Sequence, residues 1–247
     1  MIQKIWFCIV IFLANVIQGI TGFAGTILAM PPSLLLVGYP VAKPILNVLG
    51  LIAGILIFVR GYRYCKWKEV RRMFLAMLPG LLGGIALKSF VAGKEQWLNL
   101  ILGVFVLCLS VQGIWNNFYG EQKECKEGGL QRAGDTAILI ASGVVHGIFV
   151  SGGPLLIGYL TRRVKEKESF RVTISVMWIL LNSMILADDI ASGYWNVELL
   201  YCLGMTLVPF FAGMFLGGKL SRYLSQRMFM MITYVLLLIA GITLLFR

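Results

Sequence analysis

Long stretches without charged residues dominate the pattern of this chain. Runs that contain no Asp, Glu, Lys or Arg cover residues 5–42, 44–59, 73–87, 96–120, 136–161, 172–187, 199–218 and 228–246. A helix of about 20 apolar residues crosses a bilayer, so each run is long enough, or nearly so, to be a membrane span. The pattern predicts an all-α polytopic membrane protein.

Composition and charge support this prediction. Of the 247 residues, 59% are hydrophobic and 13% are charged, whereas a soluble domain has about 25% charged residues. The 22 Lys and Arg against 11 Asp and Glu give a net charge of +11. In a soluble protein this excess would suggest nucleic acid as a partner, but in a membrane protein it reports topology. We therefore expect the chain to lie in a lipid bilayer and to have no nucleic acid partner.

Glycines and prolines interrupt two of the runs at matching places, and the halves of the chain align around them. The equivalent pairs are Gln18 with His146, Gly25 with Gly153, Lys43 with Arg171, Asn47 with Ser175 and, after a shift of two positions, Pro79 with Pro209 and Gly83 with Gly213. Broken backbone at membrane depth persists only inside protein or beside a cavity. The alignment predicts a first membrane repeat at 1–118, a linker at 119–133 and a second membrane repeat at 134–247.

Two basic segments indicate how the repeats are oriented. Residues 60–72 contain six Lys and Arg, and residues 162–171 contain five. If each half had four simple spans, these segments would face opposite sides, against the rule that Lys and Arg gather in the cytoplasm. If each broken run folds back as a hairpin and three transmembrane helices follow it, both segments share one side. We therefore predict inverted repeats, a cytoplasmic linker and both termini outside a plasma or inner membrane.

The two glycine clusters are the strongest candidate site. A helix that begins after Gly25 or Gly153 has unpaired amide groups and about half a positive charge at its start, which suits an oxyanion. Pro154 fits a first helical turn. The glycines could instead only allow close helix packing. Because the interruptions are duplicated, we favour a binding site near the midplane, where transporters with repeats bind their substrates.

Several short motifs together resemble a known family. They are Gly-Phe-Ala-Gly at 22–25, Ala-Met-Pro at 29–31, Pro-x-x-x-Gly-Gly at 79–84, Gly-Gly-Pro at 152–154 and Tyr-Val-Leu-Leu-Leu-Ile-Ala-Gly at 234–241. Over essentially the whole chain they look like the sulfite exporter TauE/SafE family, also called the toluene-sulfonate uptake permease family. The resemblance implies transport of a sulfur-containing anion such as sulfite, a sulfonate or sulfoacetate. Ala24 and Thr26 stand where glycine is common in the family, which leaves the particular substrate open.

We expect a small anionic substrate to contact both broken segments and the spans that follow them. The predicted substrate-binding residues are Gln18, Gly19, Gly22, Phe23, Gly25, Thr26, Asn47, His146, Gly147, Ser151, Gly152, Gly153, Pro154 and Ser175. Asn182 and Ser183 lie about two turns deeper than Ser175. Lys43 and Arg171 are expected at span entrances, either attracting anions or anchoring the spans at the interface. Trp178 is expected to face lipid or to pack.

His146 is the only histidine of the chain. It could relay a proton, or it could donate a hydrogen bond to the anion, as its equivalent Gln18 could. No uncharged run contains an acid, so the pattern does not predict proton coupling through a deeply buried carboxylate. A coupling proton or other ion and a homodimer both stay open. No cofactor or metal is expected.

The leading hypothesis is a secondary transporter in which two broken hairpins hold the anion and the halves rock to expose it alternately. A passive anion channel could use the same helix starts. An intramembrane enzyme would need a nucleophile with a base, or a cluster of metal ligands, which this pattern does not supply. The chain has no nucleotide-binding loop of the Gly-x4-Gly-Lys type, so its energy would come from a gradient or a separate partner.

Overall fold

A computed structural model describes residues 2–91, 129–150, 153–164 and 166–221, with separate positions between 100 and 115 and between 223 and 242. The helices of the continuous ranges are α1 (Ile2–Thr21), α2 (Gly25–Val37), α3 (Tyr39–Gly61), α4 (Trp67–Val91), α5 (Gly129–Phe149), α6 (Gly153–Arg163), α7 (Lys167–Ala191) and α8 (Val197–Leu220). A 3-10 turn, Tyr62–Tyr64, joins α3 to α4. No strand occurs among these residues, and the prediction of an all-α membrane protein is confirmed.

Some of the described helices can span a bilayer and others are too short. The candidate spans are Ile2–Thr21, Tyr39–Tyr64, Trp67–Leu87, Lys167–Ala191 and Val197–Leu220. By contrast, α2 has 13 residues and α6 has 11. At 1.5 Å per residue both fall well short of a hydrocarbon core of about 30 Å. The short helices follow the glycine clusters, so the two interrupted runs are indeed broken.

The helix boundaries recur at a nearly constant spacing. The starts of α2 and α6 are 128 positions apart, as are those of α3 and α7, and the starts of α4 and α8 are 130 apart. The same order of long, short, long and long helix therefore occurs in both parts of the chain. Residues 119–128 of the predicted linker lie outside the described residues. Its last residues, 129–133, form the beginning of α5.

Two helices at equivalent places in the chain pack against each other. Lys43, near the start of α3, pairs with Asp189 near the end of α7, whereas Gly61 at the end of α3 packs against Val172 near the start of α7. These two helices are equivalent in the chain and yet run antiparallel.

Two further helix pairs, α1 with α8 and α4 with α5, meet backbone to backbone. Gly213 and Gly217 of α8 face carbonyl oxygens of α1, and Gly80 and Gly84 of α4 face carbonyl oxygens of α5. A side chain at any of these positions would collide with the partner helix. Small residues at a spacing of four allow such close approach in membranes.

The position of one glycine corrects the sequence alignment. Gly83 was paired with Gly213, but Gly83 has no packing atom within 4 Å of where a Cβ would be. Instead Gly84 approaches Gly147 as Gly217 approaches Gly19, so Gly84 and Gly217 hold equivalent places. The alignment was wrong here by about one helical turn. Only the glycines that face the partner helix are held by packing.

Candidate functional site

Both breaks between helices have the same backbone geometry. Gly22 has φ 85° and Val150 has φ 55°, and these residues are 128 positions apart. The Gly22 amide donates to the Gln18 carbonyl (2.6 Å) and the Val150 amide donates to that of His146 (2.8 Å), which ends each preceding helix. Glycine tolerates positive φ, whereas a β-branched residue there costs about 1–3 kcal/mol. The second break is therefore held by its surroundings against local strain.

The first break is closed by its own side chains. Gln18 Oε1 accepts a hydrogen bond from the Gly25 amide (2.6 Å), and Nε2 donates to the Gly22 carbonyl (3.3 Å). Thr21 Oγ1 accepts from the amides of Phe23 and Ala24, both at 3.4 Å. In this structure the polar atoms of Gln18 are thus occupied in holding the start of α2. Gln18 was predicted to contact substrate, but its geometry is that of a structural residue.

The second break uses the equivalent position differently. His146 Nε2 lies 2.9 Å from Asn182 Oδ1 on α7, and its ring stacks on that of Trp178 with centroids 5.1 Å apart and an interplanar angle of 19°. The side chain is buried, and Nδ1 has no hydrogen-bond partner among the described residues. Gln18 therefore bonds backbone groups of its own break, whereas His146 bonds a side chain of α7.

A small cavity lies between the breaks. It is lined by Phe23, Thr26, Ile27, His146, Val150, Gly153, Trp178 and Asn182. Its volume is about 10 Å³, close to the minimum that holds one water molecule. A Cβ on Gly153 would lie 2.6 Å from Ile27 Cδ1, so the starts of α2 and α6 approach each other here. No lining residue is charged.

The predicted substrate-binding residues divide into three groups. Phe23, Thr26, His146 and Gly153 line the cavity. The others that the structure describes lie around it. Gly19 and Gly147 lie at helix crossings, Gly22 packs on Arg171 and Gly25 packs on Gln18. Asn47 donates to the Asn182 carbonyl (3.1 Å), and Ser175 donates to the Arg171 carbonyl (2.7 Å). Ser151 and Gly152 lie outside the described residues, and Pro154 is described only as backbone in the first turn of α6.

Sequence reasoning did not place Trp178 in the site and did not rank Asn182 among its residues. Trp178 is buried, with 6% of its surface exposed, rather than facing lipid. A signal was present, because Arg171, Ser175, Trp178 and Asn182 follow the spacing of one helical face. Asn182 bonds His146 through its side chain and Asn47 through its backbone, so it joins α3 to the second break. Ile27 and Val150 complete the apolar wall.

Lys43 and Arg171, predicted at span entrances, both bond groups of the other half of the chain. The Lys43 side chain is 1% exposed, and its Nζ lies 2.6 Å from Asp189 Oδ1, which is equally buried. Arg171 Nη2 donates to the Gly19 carbonyl at 2.8 Å. The sequence also did not predict a buried acid in a span, because the uncharged run ended at residue 187, whereas α7 continues to Ala191. Because Lys43 neutralises the charge of Asp189, this carboxylate can be buried in α7.

The two basic segments lie on one face of the protein. The Lys66 amide donates to Thr173 Oγ1 (3.0 Å), Tyr159 donates to Glu69 (3.1 Å) and Lys167 donates to the Ser221 carbonyl (3.4 Å). These contacts join segments 60–72 and 162–171 to the end of α8. Lys4 and Glu198, 3.9 Å apart, lie at the other ends of α1 and α8.

Comparisons with known proteins agree on the class. A family model described as Sulfite exporter TauE/SafE matches residues 7–244. The chain is also similar to the "Probable inner membrane transporter protein TsaS" of Comamonas testosteroni, with 23% identity over 188 residues that cover 74% of each chain. No solved structure matches the chain significantly. In the part of the chain that the structure describes, no group of three His, Cys, Asp or Glu side chains could hold a metal ion.

Proposed function

Since the chain belongs to the sulfite exporter TauE/SafE family, we propose that this membrane transporter carries a small sulfur-containing oxyanion, such as sulfite, a sulfonate or sulfoacetate. The cavity between the two breaks carries the proposal. Thr26, Trp178 and Asn182 offer O–H and N–H donors there, and two helix starts border it. Sulfur oxyanions present several acceptor oxygens to such donors.

Unsatisfied polar atoms support a ligand with hydrogen-bonding oxygens. Trp178 Nε1 and Arg171 Nε are buried without a hydrogen-bond partner among the described residues. A buried donor that lacks an acceptor costs about 1–3 kcal/mol. An anion that enters between α2, α6 and α7 would supply acceptors to the indole of Trp178 and relieve this cost. The lining has no carboxylate that would repel it.

The cavity, at about 10 Å³, is too small for an oxyanion, so its walls must separate for the substrate to enter, as alternating access requires. Contacts between the two halves lie at opposite ends of the α3–α7 pair. At one end Lys43 pairs with Asp189 and the Tyr39 hydroxyl donates to the Ile148 carbonyl. At the other end Arg171 donates to the Gly19 carbonyl. In this mechanism, rocking of the halves breaks the contacts at one end while those at the other end persist.

Transport assays test the proposal directly. Purified protein in proteoliposomes is loaded with labelled sulfite, methanesulfonate, sulfoacetate or thiosulfate, and saturable uptake and counterflow are measured. We expect at least one of these anions to exchange against itself. Flux that does not saturate and lacks counterflow would indicate a channel. Chemical turnover without transport would indicate an enzyme, and the absence of both would remove the proposal.

A matched pair of variants separates substrate contact from structural support. Thr26→Val keeps the shape of a residue that lines the cavity and removes its hydroxyl, so we expect KM to rise about tenfold, as the loss of one hydrogen bond of about 1–1.5 kcal/mol predicts. Gln18→Ala removes the contact that holds the start of α2. It should lower thermal stability and leave KM nearly unchanged. Uptake kinetics and melting in detergent measure both. A larger KM effect for Gln18→Ala would place that residue in the site instead.

The shared basic face supports a proposal about the sidedness of the protein. Segments 60–72 and 162–171 join the end of α8, and Lys and Arg gather in the cytoplasm. We therefore propose that this face and the linker are cytoplasmic and that both termini lie outside an inner or plasma membrane. Reporters fused before Met1 and after Arg247 should both be active only outside. A cytoplasmic signal from the C-terminal fusion would contradict the proposed topology.

A further inference from the structure

We propose that His146 binds the coupling proton and that this proton crosses the membrane together with the anion. The inference rests on the proposed function, because it adds a second ligand to the same site. His146 lines the cavity, is buried and belongs to the second break, whose strained backbone is held by its surroundings.

The hydrogen bond to Asn182 decides what the imidazole can offer an anion. With Asn182 Oδ1 at 2.9 Å, Nε2 carries a hydrogen and donates it. A neutral ring then has only a lone pair on Nδ1, which repels an oxyanion. Nδ1 has no hydrogen-bond partner among the described residues. When Nδ1 binds a proton, the ring keeps its bond to Asn182 and also gains a donor for the anion.

The neighbouring groups favour a proton on His146 only when an anion is present. Burial disfavours a charge on an imidazole that lacks a counter-charge. Lys43 of α3 is already paired with Asp189 of α7, so this pair does not supply that counter-charge. Neither α2 nor the stretch of α4 around Gly84 and Ile85, which packs on this end of α5, carries an ionisable residue. The charged groups of α6 and the first turn of α4 lie at the opposite end, with Tyr159, Glu69, Asp135 and Arg163 joined there.

Trp178 adds a favourable contact for the protonated ring. Its indole stacks on the imidazole, and an aromatic face attracts a cation. The bound anion supplies the remaining counter-charge. By linkage, a proton that strengthens anion binding must itself bind more strongly when the anion is present. The empty site therefore holds a neutral histidine, and the loaded site holds one proton and one anion.

This scheme predicts electroneutral transport of one proton with each monovalent anion. The proton enters with the anion on one side and leaves with it on the other, and the neutral ring returns without either. No buried carboxylate has to titrate, because His146 itself binds the proton that is carried. Of the two roles that the sequence leaves open for His146, proton relay and hydrogen-bond donation, this scheme uses both.

Proteoliposome experiments test the coupling with anions that carry no proton of their own. Methanesulfonate and thiosulfate stay fully ionised near neutral pH, whereas sulfite does not. A proton gradient of about one pH unit should accumulate methanesulfonate about tenfold in the wild type, independently of membrane potential. An internal pH dye should report one proton for each labelled anion. Uptake without proton movement in the wild type would overturn the inference.

The His146→Gln variant provides the second measurement. Glutamine can keep a donor for Asn182 but cannot bind the proton, so proton-driven accumulation should fall to about onefold, and any counterflow exchange that remains should not move protons. Accumulation that survives in this variant would also overturn the inference. If the variant does not fold, the protonation of His146, the only histidine of the chain, is measured by NMR in the 15N-histidine-labelled wild type. A ring that stays neutral with methanesulfonate bound would overturn the inference. If no anion exchanges even in the wild type, the proposed function fails, and this outcome differs from exchange without proton coupling.

Discussion

Asp189→Ala should lower the free energy of unfolding by about 3–5 kcal/mol, because it leaves the ammonium group of Lys43 buried without its counter-charge. Both side chains are 1% exposed, and Nζ to Oδ1 is 2.6 Å. The pair joins α3 to α7 and therefore the two halves of the chain. Equilibrium unfolding in mixed micelles, or melting in detergent, measures the loss.

Two controls distinguish an uncompensated charge from lost packing. The double variant Lys43→Met with Asp189→Leu removes both charges and should recover most of the stability, because a buried ion pair is often replaced by apolar residues at little cost. Asp135→Ala breaks the 3.1 Å pair with Arg163, whose side chain is 13% exposed, so water compensates part of the charge and the loss should be smaller. A change below about 1 kcal/mol for Asp189→Ala alone would mean that Lys43 reaches water.

The second large effect is expected at the crossing of α1 and α8, where one substitution should have opposite signs at adjacent positions. A Cβ on Gly217 would collide with the Val16 carbonyl oxygen and approach Gly19 Cα within 3.0 Å. Gly217→Ala must therefore push the helices apart, and we expect a loss of about 1–3 kcal/mol. Gly218 has nothing within 4 Å. Gly218→Ala should gain up to about 1 kcal/mol from helix propensity.

The α4–α5 crossing provides an independent repeat of this experiment. Gly84→Ala would collide with the Val144 carbonyl oxygen, whereas Gly83→Ala meets no atom within 4 Å. The same opposite signs in melting temperature are expected from this pair. Equal effects at Gly83 and Gly84 would contradict the helix register described here, and with it the correction of the sequence alignment.

The breaks of the two hairpins were predictable because their chemistry is local. Clustered glycines, and glycine followed by proline, favour the end of one helix and the start of another, and the new helices begin at Gly25 and Gly153. The uncharged runs likewise predicted the long helices. Helix ends were less certain, because an uncharged run stops at the first charged residue whether or not the helix continues. For this reason the sequence did not predict that α7 extends past residue 187 to include Asp189.

The roles of equivalent residues were not predictable from the repeat. Gln18 and His146 occupy matching places, yet one bonds its own break and the other bonds α7. The difference depends on what lies opposite: position 50 is a glycine whose Cβ would touch Asn182 and Thr26, whereas the equivalent position 178 is a tryptophan that stacks on His146. An alignment of halves gives the positions but not these facing side chains.

By itself, the sequence determined the membrane class, the two breaks and the repeated order of helices, because hydropathy and the conformational limits of glycine and proline act over short stretches of chain. Only the tertiary structure decided that Lys43 and Asp189 form a buried pair 146 positions apart, that Gly84 rather than Gly83 meets the partner helix, and that His146, Trp178 and Asn182 share one cavity. Those outcomes depend on which helix faces packed against each other. In a chain this apolar, many faces are equally hydrophobic, so close backbone approach and the pairing of the few charged residues select among them.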